Sequence, residues 1–147
     1  MDKRYGHCIL DLSRSIRRYI DYSFSSKGLT GHQARVLRTI YEKSLLGVVF
    51  QKDVEKIFDV RRSTMTSSLQ ALESLGYIKR VQSETDARAK VILITQSGIE
   101  ASEFGKQIID KTEEMIINCL SEEELSSFIA TIKKIKSNFI EREQEND

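Results

Sequence analysis

The chain has no proline and no tryptophan, and only two cysteines and seven glycines in 147 residues. Without proline there is no polyproline segment, and helices must end at glycines or polar runs. Cys8 and Cys119 stand alone, with no C-x-x-C and no framework spacing, which argues against a disulfide scaffold. With His7 and His32 they form no usual metal-ligand spacing. No apolar run approaches the ~18 residues of a membrane span, and Cys8-Ile9-Leu10 is too short for the apolar part of a signal peptide. A cytoplasmic chain with reduced thiols and no membrane partner is expected. A Ser/His/Asp order, paired carboxylates in a cleft motif and a glycine-rich phosphate loop are also missing, so neither an enzyme nor a cofactor is expected. There is no internal repeat and no low-complexity tract.

What is present is globular: 39% hydrophobic and 31% charged residues, in a length that makes one domain and buries roughly 70% of its unfolded surface. The formal net charge of +1 gives no support for nucleic-acid binding, but the distribution is uneven. Residues 1–50 carry nine Lys/Arg against four Asp/Glu, residues 51–90 eight against six, and residues 100–147 six against twelve. Such a polarised chain can present a positive face to DNA despite its neutral total, though solvated acidic helices give the same count.

The stretch Val60–Thr95 carries the most information. Met65, Leu69, Leu72 and Leu75 recur at helical spacing and mark a core-facing stripe. At about 100° per residue, Ser63, Thr66, Ser67, Gln70 and Ser74 gather on or near the other face. Ser and Thr are poor helix formers compared with the Glu, Lys and Arg of an ordinary solvated face. A face of hydroxyls and one amide is suited to hydrogen-bonding a second surface, such as base edges in a DNA major groove; a low-propensity surface helix is the plain alternative. Gly76 ends this helix. Two strand-like runs follow, Tyr77–Val81 and Val91–Ile94, joined by a polar loop with Glu84, Asp86, Arg88 and Lys90. A helix followed at once by a hairpin with a charged tip is the layout of a winged helix.

Elsewhere the pattern is helical. Residues 7–25 read as a first helix, with Ile9, Leu12, Ile16, Tyr19 and Ile20 on one stripe, broken by Ser25-Ser26-Lys27-Gly28. Thr30 and Gln33 form a capping box for a second helix with Val36, Leu37, Ile40 and Tyr41 inward. Leu45–Phe50 can supply a short strand beside the hairpin, and Gln51–Phe58 a short helix with Val54, Ile57 and Phe58 apolar. Thr95 caps a long helix from Gln96 to about Cys119, and Ser121 with Glu124 caps a last one rich in Leu125, Phe128, Ile129, Ile132, Ile135, Phe139 and Ile140. No element remains to cover those apolar sides, so a homodimer built from the first helix and the last two is expected; an intramolecular helical hairpin is the alternative. Residues 141–147 are polar and expected to fray.

From Leu29 to Gly98 the chain resembles the MarR (multiple antibiotic resistance regulator) family of winged-helix transcription regulators. The matching pieces are Leu29-Thr30 with Gln33, Ser63-Thr64 with Thr66, L-x-x-L-E-x-L-G-Y-I at Leu69–Ile78, Asp86 with Arg88, and Leu93-Ile94-Thr95 with Gly98. Each is weak alone; five in order are specific. The resemblance implies a homodimer on double-stranded DNA. Arg61, Arg62, Ser63, Thr64, Thr66, Ser67 and Gln70 would contact bases and phosphates, and Lys90 a phosphate. Asp86 would orient the wing through a salt bridge while Arg88 enters the minor groove. Lys79 and Arg80 fit phosphate contacts or a solvated hairpin face equally. Two positions depart from the family pattern: Arg61 stands where a small capping residue is frequent, and Ser67 where many relatives carry Arg.

The resemblance also implies a small aromatic or phenolic ligand between the dimer helices and the DNA-binding lobe. Tyr19, Tyr22, Phe24 and Tyr41 are placed to line such a pocket, or to serve as plain core. Cys8, after His7 in the first helix, sits where some members sense peroxides; a buried, inert thiol is the alternative. Cys119, on the stripe of a long helix, is read as packing. The expected fold is mainly α: a winged helix-turn-helix with a small β-hairpin wing, flanked by helices that form a dimerisation region. Residues 1–147 form one MarR-like domain, with a DNA-binding lobe at 30–95 and dimerisation helices at 1–25 and 96–147. The expected function is a DNA-binding transcription regulator, most simply a repressor on a pseudo-palindromic site released by a ligand or oxidant. The alternatives are a redox sensor using Cys8 and a winged-helix protein-interaction module without DNA binding.

Overall fold

The computed structural model describes residues 4–58 and 60–144, with side chains up to 141. Their elements run α1 (Tyr5–Phe24), a 3-10 turn (Ser25–Lys27), α2 (Gly31–Ser44), β1 (Val49–Phe50), α3 (Gln51–Ile57) and α4 (Arg62–Ser74). They continue with β2 (Ile78–Gln82), β3 (Lys90–Ile94), α5 (Gln96–Ile117) and α6 (Glu122–Gln144). Among the described residues no helix is long and apolar enough to cross a membrane. The chain divides into two compact units, residues 1–110 and 111–147.

In the first unit the core is assembled from one face of each element. α2 contributes Val36, Leu37 and Ile40, α3 contributes Val54, and α4 contributes Met65, Leu69 and Leu72, all at 1% exposure or less. Burying a side chain of this size is worth about 1.5–3 kcal/mol, so the helical spacing of these positions dictates which face turns inward. The antiparallel sheet has the order β1-β3-β2, with Val49 opposite Ile92 and Phe50 opposite Val91. Ile78 lies opposite Ile94 and Arg80 opposite Ile92. Val49, Ile78 and Ile92 are buried, so the alternation of the strands puts Arg80, two residues after Ile78, on the core side.

The element ends follow local chemistry. Thr30 Oγ1 accepts from Gln33 N at 3.2 Å while Gln33 Oε1 accepts from Thr30 N at 3.0 Å, which is the expected capping box. α4 closes in a Schellman motif: Tyr77 N donates to Leu72 O at 3.0 Å and Gly76 N to Glu73 O at 2.9 Å, with Gly76 at φ +76°. At the start of α5, Thr95 Oγ1 donates to Gly76 O at 2.7 Å and accepts from Gly98 N at 3.1 Å. A Cβ on Gly98 would press far inside contact distance of the Tyr77 carbonyl oxygen, so only glycine lets α5 begin this close to the hairpin.

The second unit holds the end of α5 and α6. Ser121 and Glu124 form the expected second capping box, at 3.3 and 2.8 Å, and its hydrogen bonds hold the Glu124 carboxyl below its ordinary range.

Several expectations need correction. α1 begins at Tyr5 and ends at Phe24, and α5 stops at Ile117, so Cys119 lies beyond the helix. Cys119 is exposed, its Sγ donating to Ile116 O at 3.1 Å, rather than packed. Leu75 and Tyr41 fall outside the buried core; Leu75 is 40% exposed beside Gly28 at the helix end, where the stripe has turned off the core. The helical pattern continues through residues 141–144; residues 145–147 of the expected frayed end lie outside the described residues.

Candidate nucleic-acid interface

The outward face of α4 is built by its inward one. With Met65, Ser68, Leu69 and Leu72 buried, Ser63, Thr64, Ser67 and Gln70 are exposed and Thr66 is half-buried. The expected hydroxyl-and-amide face is therefore open, and the one serine turned inward, Ser68, was not among the nominated residues. Arg61 occupies the N-cap and makes no side-chain capping bond; its carbonyl accepts from Thr64 N at 2.9 Å. The guanidinium groups of Arg61 and Arg62 are left exposed at the helix start, where unpaired N–H groups and the helix dipole favour an anion.

The wing tip is folded on itself. Ser83 N donates to Ala89 O and Ala89 N to Asp86 O, both at 2.9 Å, and Gln82 Nε2 donates to Ala87 O. Asp86 Oδ1 accepts from Arg88 N at 2.9 Å. Asp86 therefore shapes the tip through a backbone hydrogen bond, and among the described residues it has no ion pair, which corrects the expected salt bridge. A two-residue separation favours this local turn because the short carboxylate reaches the nearby N–H without ordering a long side chain. Arg88 stays exposed with its guanidinium unpaired among the described residues.

The wing is anchored to α4 at its base. Glu73 Oε1 accepts from Arg80 N at 2.8 Å, and Oε2 accepts from Arg80 Nε at 3.0 Å and Nη2 at 2.7 Å. The Arg80 side chain is only 14% exposed. Arg80 is thus committed to Glu73 and is not a free phosphate contact; the two-residue step from Ile78 was the signal in the sequence. The Arg80 guanidinium, then its backbone N–H, holds the Glu73 carboxyl below its ordinary range.

Between α3, the start of α4 and the wing lies a cleft of about 380 Å³. It brings together four nominated residues, Arg62, Asp86, Arg88 and Lys90, with Lys52, Glu55 and Phe50, which were not nominated. Arg61, Ser63, Thr64, Thr66, Ser67 and Gln70 do not line it. Lys52 carried no signal beyond its charge, because its neighbours in the cleft come from distant parts of the chain.

Of the four nominated aromatic residues, only Phe24 lines the apolar cavity of about 310 Å³ between α2 and α5. Phe24 is buried, packing edge-on against Phe104 at 6.2 Å. Tyr19 and Tyr41 are half-buried and Tyr22 is 81% exposed. Arg38 at the cavity wall is tied to Glu42 and Glu103 at 2.7 and 2.9 Å. A second cleft, of about 570 Å³, lies among α1, α2 and the start of α4, with Arg17, His32 and Thr64 on its walls. Burial, then the Arg35 charge, pushes the His32 pKa below its ordinary 6.5. Its ring packs edge-on to Phe58 at 5.7 Å, and its Nε2 is buried without a hydrogen-bond partner among the described residues. Cys8 is a free, exposed thiol on the first turns of α1.

Comparison with known proteins agrees with this architecture. The MarR family model matches residues 27–89, the stretch from the 3-10 turn to the wing tip. The MepR–DNA complex of S. aureus is 26% identical, with 94% of this chain and 99% of that chain covered and a TM-score of 0.81. A mutant MepR of S. aureus bound to an oligodeoxyribonucleotide is 27% identical over 94% and 99% of the two chains, with a TM-score of 0.61. A mutant MarR from E. coli complexed with operator DNA shares the fold at 21% identity, covering 88% and 91%, with a TM-score of 0.72. With its open α4 face, its wing tip and its caps falling on the residues that carry the family pattern, the chain is similar to the MarR family of winged-helix regulators, whose model matches residues 27–89.

Proposed function

We propose that the chain is a cytoplasmic transcription regulator, acting as a repressor, that binds a pseudo-palindromic duplex as a homodimer. The observation that carries this is the exposed Ser63, Thr64, Ser67 and Gln70 face of α4, set in the same unit as a wing whose Arg88 is exposed. The helix enters the major groove, where hydroxyls and an amide read base edges, and Arg88 enters the minor groove beside it. Residues 30–95 form the DNA-binding lobe. Residues 1–25 and 96–147 form the dimerisation region, supported by apolar side chains exposed in the single chain: Leu10 (64%) and Leu12 (52%) on α1, and Phe139 (64%) on α6. Such long apolar sides are covered by a second copy. Two-fold symmetry then places the recognition helices about 34–36 Å apart, one helical turn of DNA.

Substitution tests the docking directly. Arg88→Ala weakens binding to duplexes enriched from a random pool by about 1–3 kcal/mol, while Gln70→Ala changes which sequences the pool yields. Unchanged affinity and an unchanged enriched sequence in both variants refute the docking. A ligand in the crevice between α1, α2 and α4 shifts the dimer to a non-binding spacing of its lobes. A second reading, an oxidant as effector, is supported by the free, exposed thiol of Cys8. Loss of DNA binding on mild peroxide that persists in Cys8→Ser excludes it.

A further inference from the structure

We infer that the cleft between α3 and the wing is the seat of one DNA backbone phosphate, gripped by Lys52 of α3 together with Lys90 of β3. This rests on the DNA-binding function proposed above and adds α3, through Lys52, to the elements that hold the duplex. When one element occupies a major groove and its neighbour the adjacent minor groove, a single sugar–phosphate strand separates them. That strand must cross the gap between the two elements, and here the gap is this cleft, between the start of α4 and the wing tip.

Its charge suits the crossing. Lys52, Arg62, Arg88 and Lys90 line it against two carboxylates, Glu55 and Asp86. Both carboxylates are already engaged by N–H donors: Glu55 Oε1 accepts from Gln51 Nε2 at 2.8 Å, and Asp86 Oδ1 from Arg88 N at 2.9 Å. Among the described residues none of the four cations is held in an ion pair. Elsewhere in the same unit Arg14, Arg38, Arg80 and Lys106 have carboxylate partners within 4 Å; what sets the cleft apart is that four unpaired cations line one gap. Four cations gathered round one gap repel each other and gain only when an anion enters. Lys52 Nζ lies 5.6 Å from the centroid of the Phe50 ring, which leaves the ammonium free while holding it at the cleft wall.

The test measures salt dependence on a random-sequence duplex and on pool-enriched duplexes, with Lys52→Gln and, as a control outside the cleft, Lys43→Gln. Each phosphate neutralised contributes about 0.9 to the slope of log K against log salt. Lys52→Gln should therefore flatten the slope, by up to about 0.9, and weaken binding by up to about eightfold at 0.1 M salt, equally on both kinds of duplex. A single methylphosphonate, walked along the enriched duplex, should weaken wild type at one position per half-site. At that position it should cost Lys52→Gln less than it costs wild type, because the Lys52 share of that contact is already gone and only Lys90 still holds the phosphate. A Lys52→Gln protein that keeps the wild-type slope on DNA that wild type binds steeply overturns the phosphate seat and leaves the DNA-binding function standing. A wild type with no salt slope at all overturns both.

Discussion

The tie between Glu73 and Arg80 can be broken without emptying the core, by replacing Arg80 with Met. The thioether chain keeps most of the arginine stem, and the backbone N–H of residue 80 still reaches Glu73 Oε1. What disappears is the fork from Nε and Nη2 to Oε2, at 3.0 and 2.7 Å. Hydrogen bonds to charged groups are worth about 1.5–3 kcal/mol each when buried. The Glu73 side chain is 37% exposed, so water replaces most of what is lost, as at exposed ion pairs worth about 0–1 kcal/mol. A loss of about 1–2 kcal/mol follows. At about 2–4 °C per kcal/mol for a chain of this size, Tm falls by about 3–6 °C at pH 7.

Acid gives that experiment a sign. The folded-state pKa of Glu73 is depressed, first by the Arg80 fork and then by the Arg80 N–H. Its contribution is therefore fully present above the unfolded carboxyl value of about 4.3 and is lost as pH falls through the lower folded value. The Tm difference between wild type and Arg80→Met, followed by circular dichroism, should be full at pH 7 and shrink steadily below about pH 4. DNA binding supplies a second readout. Loosening α4 from β2 lowers affinity, but the salt slope stays at the wild-type value because no phosphate contact is removed. A Tm difference that persists undiminished in acid, or a slope that drops by about 0.9, would falsify the assignment of Arg80 to Glu73.

Two further substitutions probe the frame that holds the site. Gly98→Ala gains up to about 1 kcal/mol of helix propensity but drives a methyl into the Tyr77 carbonyl. A net loss of about 1–3 kcal/mol is expected as a lower urea midpoint, and a raised midpoint would show that α5 can move off the hairpin freely. Thr30→Ala removes one half of the α2 capping box and should cost about 1 kcal/mol, with Thr30→Ser restoring most of it; equal stability of all three would remove the box from the account.

What the sequence made legible was periodic or local. The α4 stripe named its three deepest residues because 3.6-residue repetition writes a buried face directly into the order of side chains. The capping boxes at Thr30 and Ser121 were legible for the same reason, since donor and acceptor lie three residues apart. Asp86 was found but its partner was not: a family pattern names the residue, while only the folded tip decides whether the carboxylate meets a guanidinium or a backbone N–H. Arg80 was legible in principle. A two-residue step from Ile78 placed it on the core side of β2, where a charge demands a partner, and Glu73 is the acidic residue at the facing end of α4. Lys52 was not, because it meets Arg62, Arg88 and Lys90 only after three elements have folded together.

The apolar stripe of α1 makes a sharper case. Ile9, Leu12, Ile16, Tyr19 and Ile20 all fall on the expected face, yet only the last three are partly covered, while Ile9 is 41% and Leu12 52% exposed. Hydrophobic periodicity records that a face is buried and says nothing about which chain buries it. In α1 the covered part is the end beside the core residue Phe24, and the uncovered part is the end further from it. Apolar surface is worth about 25 cal/mol per Å² when it leaves water, so a stripe that continues past its own core is free energy available to a second copy. Stability should then rise with protein concentration, as it does whenever association favours the folded chain. A Tm that is flat from the lowest measurable concentration upward, with a monomer in sedimentation, would mean that the outer half of the stripe has no such partner.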